Sequence, residues 1–129
     1  MLLCQAAAMT VQKVNIDEKL SQFDEHWAPK TIGRLNDYEL KVVKVQGDFV
    51  WHQHEDTDEV FLVLDGELTI ETPDGEIVLG PWETATIPRG MRHRPHAEQE
   101  TSILLVEPAG VPNTGDAGGE LTAETESLI

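Results

Sequence analysis

Short runs of apolar residues, separated by turn sequences, occupy most of the chain between residues 38 and 107. Several runs alternate apolar and polar positions, which is the pattern of a half-buried strand. The pair Asp65-Gly66 between two such runs is a strong hairpin signal. Turns every eight to twelve residues or so are typical of a β-sandwich or small barrel. The pattern predicts an all-β fold with strands at 38–46, 49–54, 60–64, 68–70, 77–79, 84–87 and 103–106.

One short helix is predicted before the strands begin. Ile16, Leu20 and Phe23 recur with helical spacing, Asp17 is a suitable N-cap, and Pro29 ends the segment. The chain therefore divides into an N-terminal segment with this helix (1–30), a barrel (31–108) and a C-terminal segment (109–129).

The two ends of the chain differ in composition, and we expect different properties for each. The first nine residues are apolar but lack the basic start of a secretory signal, so we expect translation to begin at Met9 rather than Met1, and no role for Cys4. Residues 109–129 are rich in Gly, Pro, Asn and Thr, contain acidic residues and have no basic residue. This composition predicts a flexible tail.

Composition excludes several classes of protein. The length of 129 residues suits one domain. Nine basic against 24 acidic residues give a formal charge of −15, which argues against nucleic acid and anionic membranes as partners. A single cysteine excludes a disulfide framework and any multi-cysteine metal cage. No apolar run approaches the roughly 18 residues of a membrane span, so we expect a cytoplasmic protein.

Four side chains with metal-binding chemistry recur at strand spacing. His52 and His54 are two residues apart, so on a strand they share one face. Glu59 begins the returning strand, and His93 follows the turn at Pro88, which places it on a separate hairpin. Three neutral imidazoles and one carboxylate suit a divalent transition metal (Fe, Mn, Ni, Cu or Zn) and leave one or two positions for water or substrate.

The spacing of these residues also resembles a known family. The run Gly47-x4-His52-x-His54-x4-Glu59-x6-Gly66 resembles the first cupin motif, and Pro88-x-Gly90-x2-His93 resembles the core of the second. The resemblance spans about residues 38–107 and is greatest to small single-domain bacterial cupins grouped loosely with mannose-6-phosphate isomerases. It implies a double-stranded β-helix (jelly-roll) barrel with a metal held by His52, His54, Glu59 and His93.

Strand alternation extends the prediction to a substrate pocket. Val50 shares a face with His52, Phe61 with Glu59, and Met91 with His93, which predicts a metal set in an apolar wall. Phe49 and Trp51 are then predicted to point away from the metal. The outward positions Val60, Leu62 and Leu64 are also apolar, so we expect a covering segment, a partner sheet or both, and hypothesise a homodimer.

Two further residues are accessory candidates. Arg89, at the turn before His93, is a candidate for contact with an anionic substrate. His96 is a candidate proton shuttle at the cavity rim. The alternatives are surface ion pairs for the arginine and an exposed loop position for the histidine.

Two classes of function remain open from the sequence. The first is a metal-dependent enzyme acting on a small molecule, with oxidation and isomerisation both suggested by the resemblance. The second is a cupin that binds or senses a small ligand without turnover. No DNA-binding helix pair precedes the predicted barrel, which disfavours a transcription regulator.

Overall fold

The computed structural model describes residues 10–129; the expectations about Met1, Cys4 and Met9 lie outside these residues. Strands dominate the fold and follow one short helix, α1. The elements are α1 (Ile16–Leu20), β1 (Lys30–Leu35), β2 (Tyr38–Asp48), β3 (Glu59–Asp65), β4 (Leu68–Thr72), β5 (Gly75–Leu79), β6 (Thr84–Ile87), β7 (Arg94–Pro108) and β8 (Glu126–Ser127).

The N-cap of helix α1 lies two residues before the predicted one. The N-cap is Asn15, whose side-chain oxygen accepts a hydrogen bond from the backbone N–H of Glu18 at 3.0 Å. Asp17 lies in the first turn instead, where its negative charge complements the helix dipole. Both residues suit an N-terminus chemically, so composition alone did not distinguish them. None of the helices in residues 10–129 is long and apolar enough to cross a membrane.

Strand β7 organises the jelly-roll fold. It has 15 residues and pairs antiparallel with β2 along one edge. On its other edge it pairs with β4 near its start and with β3 near its end. The main strand order is β5-β4-β7-β2-β1-β8, and β6 attaches to β3. The expected all-β jelly-roll fold with a short N-terminal helix is therefore confirmed.

The core lies between the inner faces of these strands. Along β3 the residues Glu59, Phe61 and Val63 are buried and alternate with half-buried ones. The hairpin predicted at Asp65-Gly66 is not formed, because β3 pairs with β6 and β7 while β4 pairs with β5 and β7. The turn after β3 brings Gly66 close to β7: with φ +95°, a Cβ on this residue would lie 2.4 Å from Oγ1 of Thr101. Glycine is therefore required at this turn by conformation and by space.

The outer face of the barrel is covered in part by the chain itself. Leu64 and Leu104 pack against a second apolar cluster centred on Phe23, Ile32 and Val42. Residues of α1 and the segment before it join that cluster. Of the apolar outward positions predicted from alternation, Leu64 thus has a covering segment within the same chain.

The C-terminal segment also differs from the flexible tail that its composition predicts. Thr114 is fully buried, and Leu121 packs against the main core. The Asn113 amide donates to the backbone carbonyls of Trp27 and Leu121 at 3.1 and 2.9 Å, and β8 pairs in parallel with β1. Specific side-chain to backbone hydrogen bonds hold this segment on the barrel, and composition does not reveal such bonds.

Candidate metal centre

Four side chains converge inside the barrel at one end of β3. The candidate ligand atoms of His52, His54, Glu59 and His93 all lie within 4.8 Å of one another. Each residue is buried, with at most 6% of its surface exposed. His52 and His54 lie in the connection between β2 and β3, Glu59 is the first residue of β3, and His93 immediately precedes β7.

Backbone pairing fixes two of these residues relative to each other. The N–H of His52 donates to the carbonyl of His93 at 3.0 Å, and the N–H of His93 donates to the carbonyl of His52 at 2.8 Å. This isolated bridge joins the two segments that carry the predicted motifs. It brings the two ring centroids to 4.3 Å.

Two of the imidazoles have their tautomers fixed by backbone carbonyls. Nδ1 of His52 is 2.9 Å from the carbonyl oxygen of Val50, and Nδ1 of His93 is 2.9 Å from that of Met91. A carbonyl oxygen only accepts, so each Nδ1 must carry the proton and donate it. In the neutral rings Nε2 therefore offers a lone pair to the interior, as a metal-binding histidine requires.

The centre of this cluster holds a close contact between a carboxylate and two imidazoles. Oε1 of Glu59 lies 3.1 Å from Nε2 of His93 and 3.5 Å from Nε2 of His54. In the part of the chain that the structure describes, this His54 nitrogen is buried without a hydrogen-bond partner. A neutral His93 ring would thus direct a lone pair toward the carboxylate, which is unfavourable unless the ring is protonated or a cation lies between them. The donor set fits a divalent transition metal.

The electrostatic environment favours the protonation states that bind a metal. Burial lowers the pKa of His52 to about 4, and the neighbouring positive charge of His93 acts in the same direction. Burial also lowers the pKa of His54. For Glu59, burial opposes ionisation, but the hydrogen bond with His93 and the charges of the histidines outweigh it and lower the pKa. At neutral pH His52 and His54 are therefore neutral and Glu59 is ionised.

A largely apolar cavity adjoins this cluster. Its wall includes Trp27 and Phe49, whose rings stack at 4.6 Å between centroids, and Phe61. The other apolar residues that line it are Pro29, Val43, Val45, Pro95, Ile103 and Leu105, and the polar ones are His52, Glu59, Glu107 and Asn113. The cavity has a volume of about 40 Å³, which is small beside the roughly 300–1,000 Å³ of most ligand pockets, but its apolar wall with a few convergent polar groups has the composition of a small-molecule site.

Glu107 is a buried residue of this cavity that the sequence analysis missed. It is 2% exposed, and its Oε1 accepts a hydrogen bond at 2.9 Å from Nζ of Lys41, which is 1% exposed. Burial and the negative charge of Glu59 raise the pKa of Glu107 to about 7, although Lys41 opposes this rise. Alternation could have revealed it, because Ile103, Leu105 and Glu107 share one face of β7.

The structure corrects part of the predicted pocket. Phe61 lines the cavity, but Val50 and Met91 do not; both are half-buried and pack against the core. Phe49, predicted to point away from the metal, lines the cavity instead. The prediction assumed a regular strand at 49–54, but in this segment only His52 forms a β-bridge. Alternation therefore fails there.

The two accessory candidates lie outside the cavity wall. Arg89 is exposed, with its Nε 3.6 Å from Asp58, and its backbone N–H donates to the same carboxylate. His96 lies on β7, where its Nδ1 bonds to Asp48. Arg89 forms an ion pair at the surface and His96 forms a hydrogen bond with Asp48, and neither lines the cavity beside the histidine–glutamate cluster.

Comparison with known proteins assigns the family. A family model described as "Cupin domain" matches residues 40–107, which is more than half of the chain. The chain belongs to the cupin family. The family match includes the four clustered residues and Glu107, whereas the packed C-terminal segment lies beyond it.

Individual relatives agree with this assignment. An uncharacterized protein, YdbB of Bacillus subtilis (strain 168), is 36% identical over 88 residues, which are 67% of this cupin and 78% of the relative. The crystal structure of a cupin-2 domain protein from Shewanella frigidimarina has 47% identity and a TM-score of 0.73, covering 74% of this chain and 93% of that one.

A more distant structure shares the fold. Hydroquinone 1,2-dioxygenase from Sphingomonas sp. TTNP3, solved in complex with 4-nitrophenol, has 19% identity and a TM-score of 0.67. The match covers 78% of this cupin but only 33% of the dioxygenase chain. At this identity the likeness concerns the fold.

Proposed function

We propose that this cupin binds a divalent transition metal through His52, His54, Glu59 and His93 and acts on a small molecule in the adjacent cavity. The observation that carries the proposal is the arrangement of nitrogen lone pairs around the Glu59 carboxylate. A bound cation removes the repulsion between the Glu59 carboxylate and the lone pairs of neutral His52 and His93 rings. Within residues 10–129, Nε2 of His54 has no hydrogen-bond partner, which supports the same conclusion.

The donor set limits the metal without selecting one. Imidazole nitrogens with one carboxylate oxygen suit Fe, Mn, Ni or Zn. Four protein ligands leave one or two positions open on a six-coordinate ion. Such an ion supplies Lewis acidity, and iron would add redox chemistry.

The chain's own residues then have three separate tasks. The carbonyls of Val50 and Met91 hold two imidazole rings with Nε2 directed inward. Glu59 supplies negative charge that offsets the charge of the ion. The aromatic wall formed by Trp27, Phe49 and Phe61 keeps water away from a ligand beside the metal.

The reaction class that we favour is oxidation of a small molecule with dioxygen as oxidant. The fold shared with a hydroquinone 1,2-dioxygenase and the aromatic cavity wall support this choice over isomerisation. Oxygen uptake by iron(II)-loaded protein with hydroquinone tests it. A rate no higher than that of the metal-free protein would contradict oxidation of this substrate.

The metal site is tested by elemental analysis of protein purified without a histidine tag. We expect about one transition-metal ion per chain in the wild type and almost none in the His52→Ala/His54→Ala variant, because two of four ligands are lost. His26→Ala is the matched control, since this exposed histidine contacts Glu100 on the surface. A double variant that keeps stoichiometric metal would show that the site is wrongly assigned.

A further inference from the structure

Glu107 lies beside the metal ligands on the neighbouring strand. In the β3–β7 register Val60 pairs with Val106 and Phe61 with Leu105. Continuing this register by one residue sets Glu107 opposite Glu59, on the same inner face. Both residues line the aromatic cavity. A ligand that reaches the metal thus also passes Glu107.

Most polar groups of the cavity are already occupied. His52 and Glu59 belong to the metal cluster. Asn113 donates to two backbone carbonyls, and its side-chain oxygen accepts from the N–H of Ala123 at 3.0 Å. In contrast, Oε2 of Glu107 is buried and has no hydrogen-bond partner within residues 10–129. Buried carboxyl oxygens are seldom left this way, because the loss of hydration is costly.

The buried pair with Lys41 keeps this oxygen in place. Nζ of Lys41 holds the other oxygen, Oε1, at 2.9 Å. Glu39 lies next to the lysine, with Oε1 3.8 Å from Nζ, but it does not line the cavity. The Glu107 carboxyl is therefore fixed by the fold before any ligand binds, as a recognition group should be.

We propose that the Glu107 carboxyl forms a hydrogen bond through Oε2 with a hydroxyl group of the ligand, which makes Glu107 a specificity-determining residue for small hydroxylated aromatic molecules. The inference rests on the proposed function, since it places the ligand beside the metal. The rings of Trp27, Phe49 and Phe61 favour a ligand with an aromatic ring, which stacks well against such a wall. The ligand then has one group at the metal and a hydroxyl at Glu107.

The test compares two probes that differ in one group. Hydroquinone and 4-methylphenol share a ring and a hydroxyl, but the second hydroxyl of hydroquinone is a methyl group in 4-methylphenol. Zinc-loaded protein is used because zinc has no redox chemistry, so binding is measured calorimetrically without turnover. We expect wild-type protein to bind hydroquinone at least about tenfold more tightly, since a site with an unpaired polar group rejects the analogue.

Two variants separate this role from general effects. Lys41→Met/Glu107→Leu replaces the buried pair with apolar side chains of similar size, which proteins often tolerate. We expect it to prefer 4-methylphenol. Glu39→Gln is the matched control, because it alters the other carboxylate near Lys41, and it should keep the preference for hydroquinone.

The outcomes distinguish this inference from the proposed function. Equal affinities in the wild type would mean that solvent satisfies Oε2, and would overturn the inference even if the double variant did not fold. Failure of zinc-loaded protein to bind hydroquinone would overturn it as well. A folded double variant that still preferred hydroquinone would likewise overturn the inference. If the wild type took up no zinc, the proposed metal site itself would fail.

Discussion

Nε2 of His93 lies 3.1 Å from Oε1 of Glu59, although Nδ1 of the same ring already donates to a backbone carbonyl. The ring can therefore meet the carboxylate favourably only as a cation or with a metal ion between them. In this buried site the negative charge of Glu59 therefore requires a compensating positive charge, either a proton on the ring or a bound metal ion.

This relationship predicts the effect of Glu59→Gln. The substitution keeps the size of the side chain but removes its negative charge, so the site can no longer offset the charge of a divalent ion. We expect metal affinity to fall by at least about tenfold, as removal of a metal-site group typically does. Competition with a chromogenic chelator measures it. Glu76→Gln on exposed β5 is the control, and an equal loss there would contradict a specific role for Glu59.

The stability of the metal-free protein should depend on pH through His52. Its pKa is lowered from 6.5 to about 4 in the folded protein, so between these values the unfolded chain binds a proton that the native state does not. Stability is therefore fully present above about pH 6.5 and falls as the pH decreases toward 4, by about 3 kcal/mol at most. The lowered pKa of His54 acts in the same direction.

Urea denaturation of metal-free protein at several pH values between 7 and 4 checks this dependence. In His52→Gln the decrease should be smaller, because the group that takes up the proton on unfolding is absent. An unchanged slope in this variant would show that other groups are responsible. Loading with metal should steepen the loss on acidification, since protons compete with the ion for the ligands.

The sequence alone was sufficient to predict the fold family and the four clustered residues, because both predictions depend on the spacing of nearby residues. His52 and His54 are two residues apart, and turn glycines such as Gly66 mark where one strand ends and the next begins. These features survive small errors in strand boundaries. A convergence of residues from distant segments was therefore predictable without any knowledge of the contacts.

The cavity wall was less predictable because it depends on exact backbone geometry. Phe49 and Val50 exchanged their predicted positions, since the segment around them is not a regular strand. The role of Asn113 arises from a C-terminal segment whose composition suggested no fixed structure. Lys41 and Glu107 are charged residues in apolar strands, and only their pairing makes their burial tolerable.

The C-terminal segment should contribute to the metal site through Gly115. This residue has φ +53°, and a Cβ on it would lie 2.2 Å from the carbonyl oxygen of Gln53 and 3.2 Å from Cδ2 of His52. The adjacent Asp116 also bonds to Gln53 through its backbone N–H and its carboxylate. Gly115→Ala must therefore displace the chain that carries two candidate ligands.

We expect Gly115→Ala to lower both thermal stability and metal affinity. Gly118→Ala is a matched control, because Gly118 also has a positive φ of +62°, but a Cβ on it would meet no atom within 4 Å. The control should lose only about 1–2 kcal/mol of stability from its backbone strain and keep its metal affinity. Equal metal affinity in the two variants would show that the packed segment does not position the ligands.

The buried pair of Lys41 and Glu107 predicts a strongly non-additive pattern of stability. Lys41→Met alone leaves the Glu107 carboxyl buried without its partner, so we expect a loss of about 3–5 kcal/mol in the free energy of unfolding. Lys41→Met/Glu107→Leu removes both polar groups and should recover most of that loss. Guanidinium denaturation of the wild type, the two single variants and the double variant gives the coupling energy. A double variant as unstable as the sum of the single ones would contradict a direct interaction, whereas recovery would show that the fold does not depend on the pair.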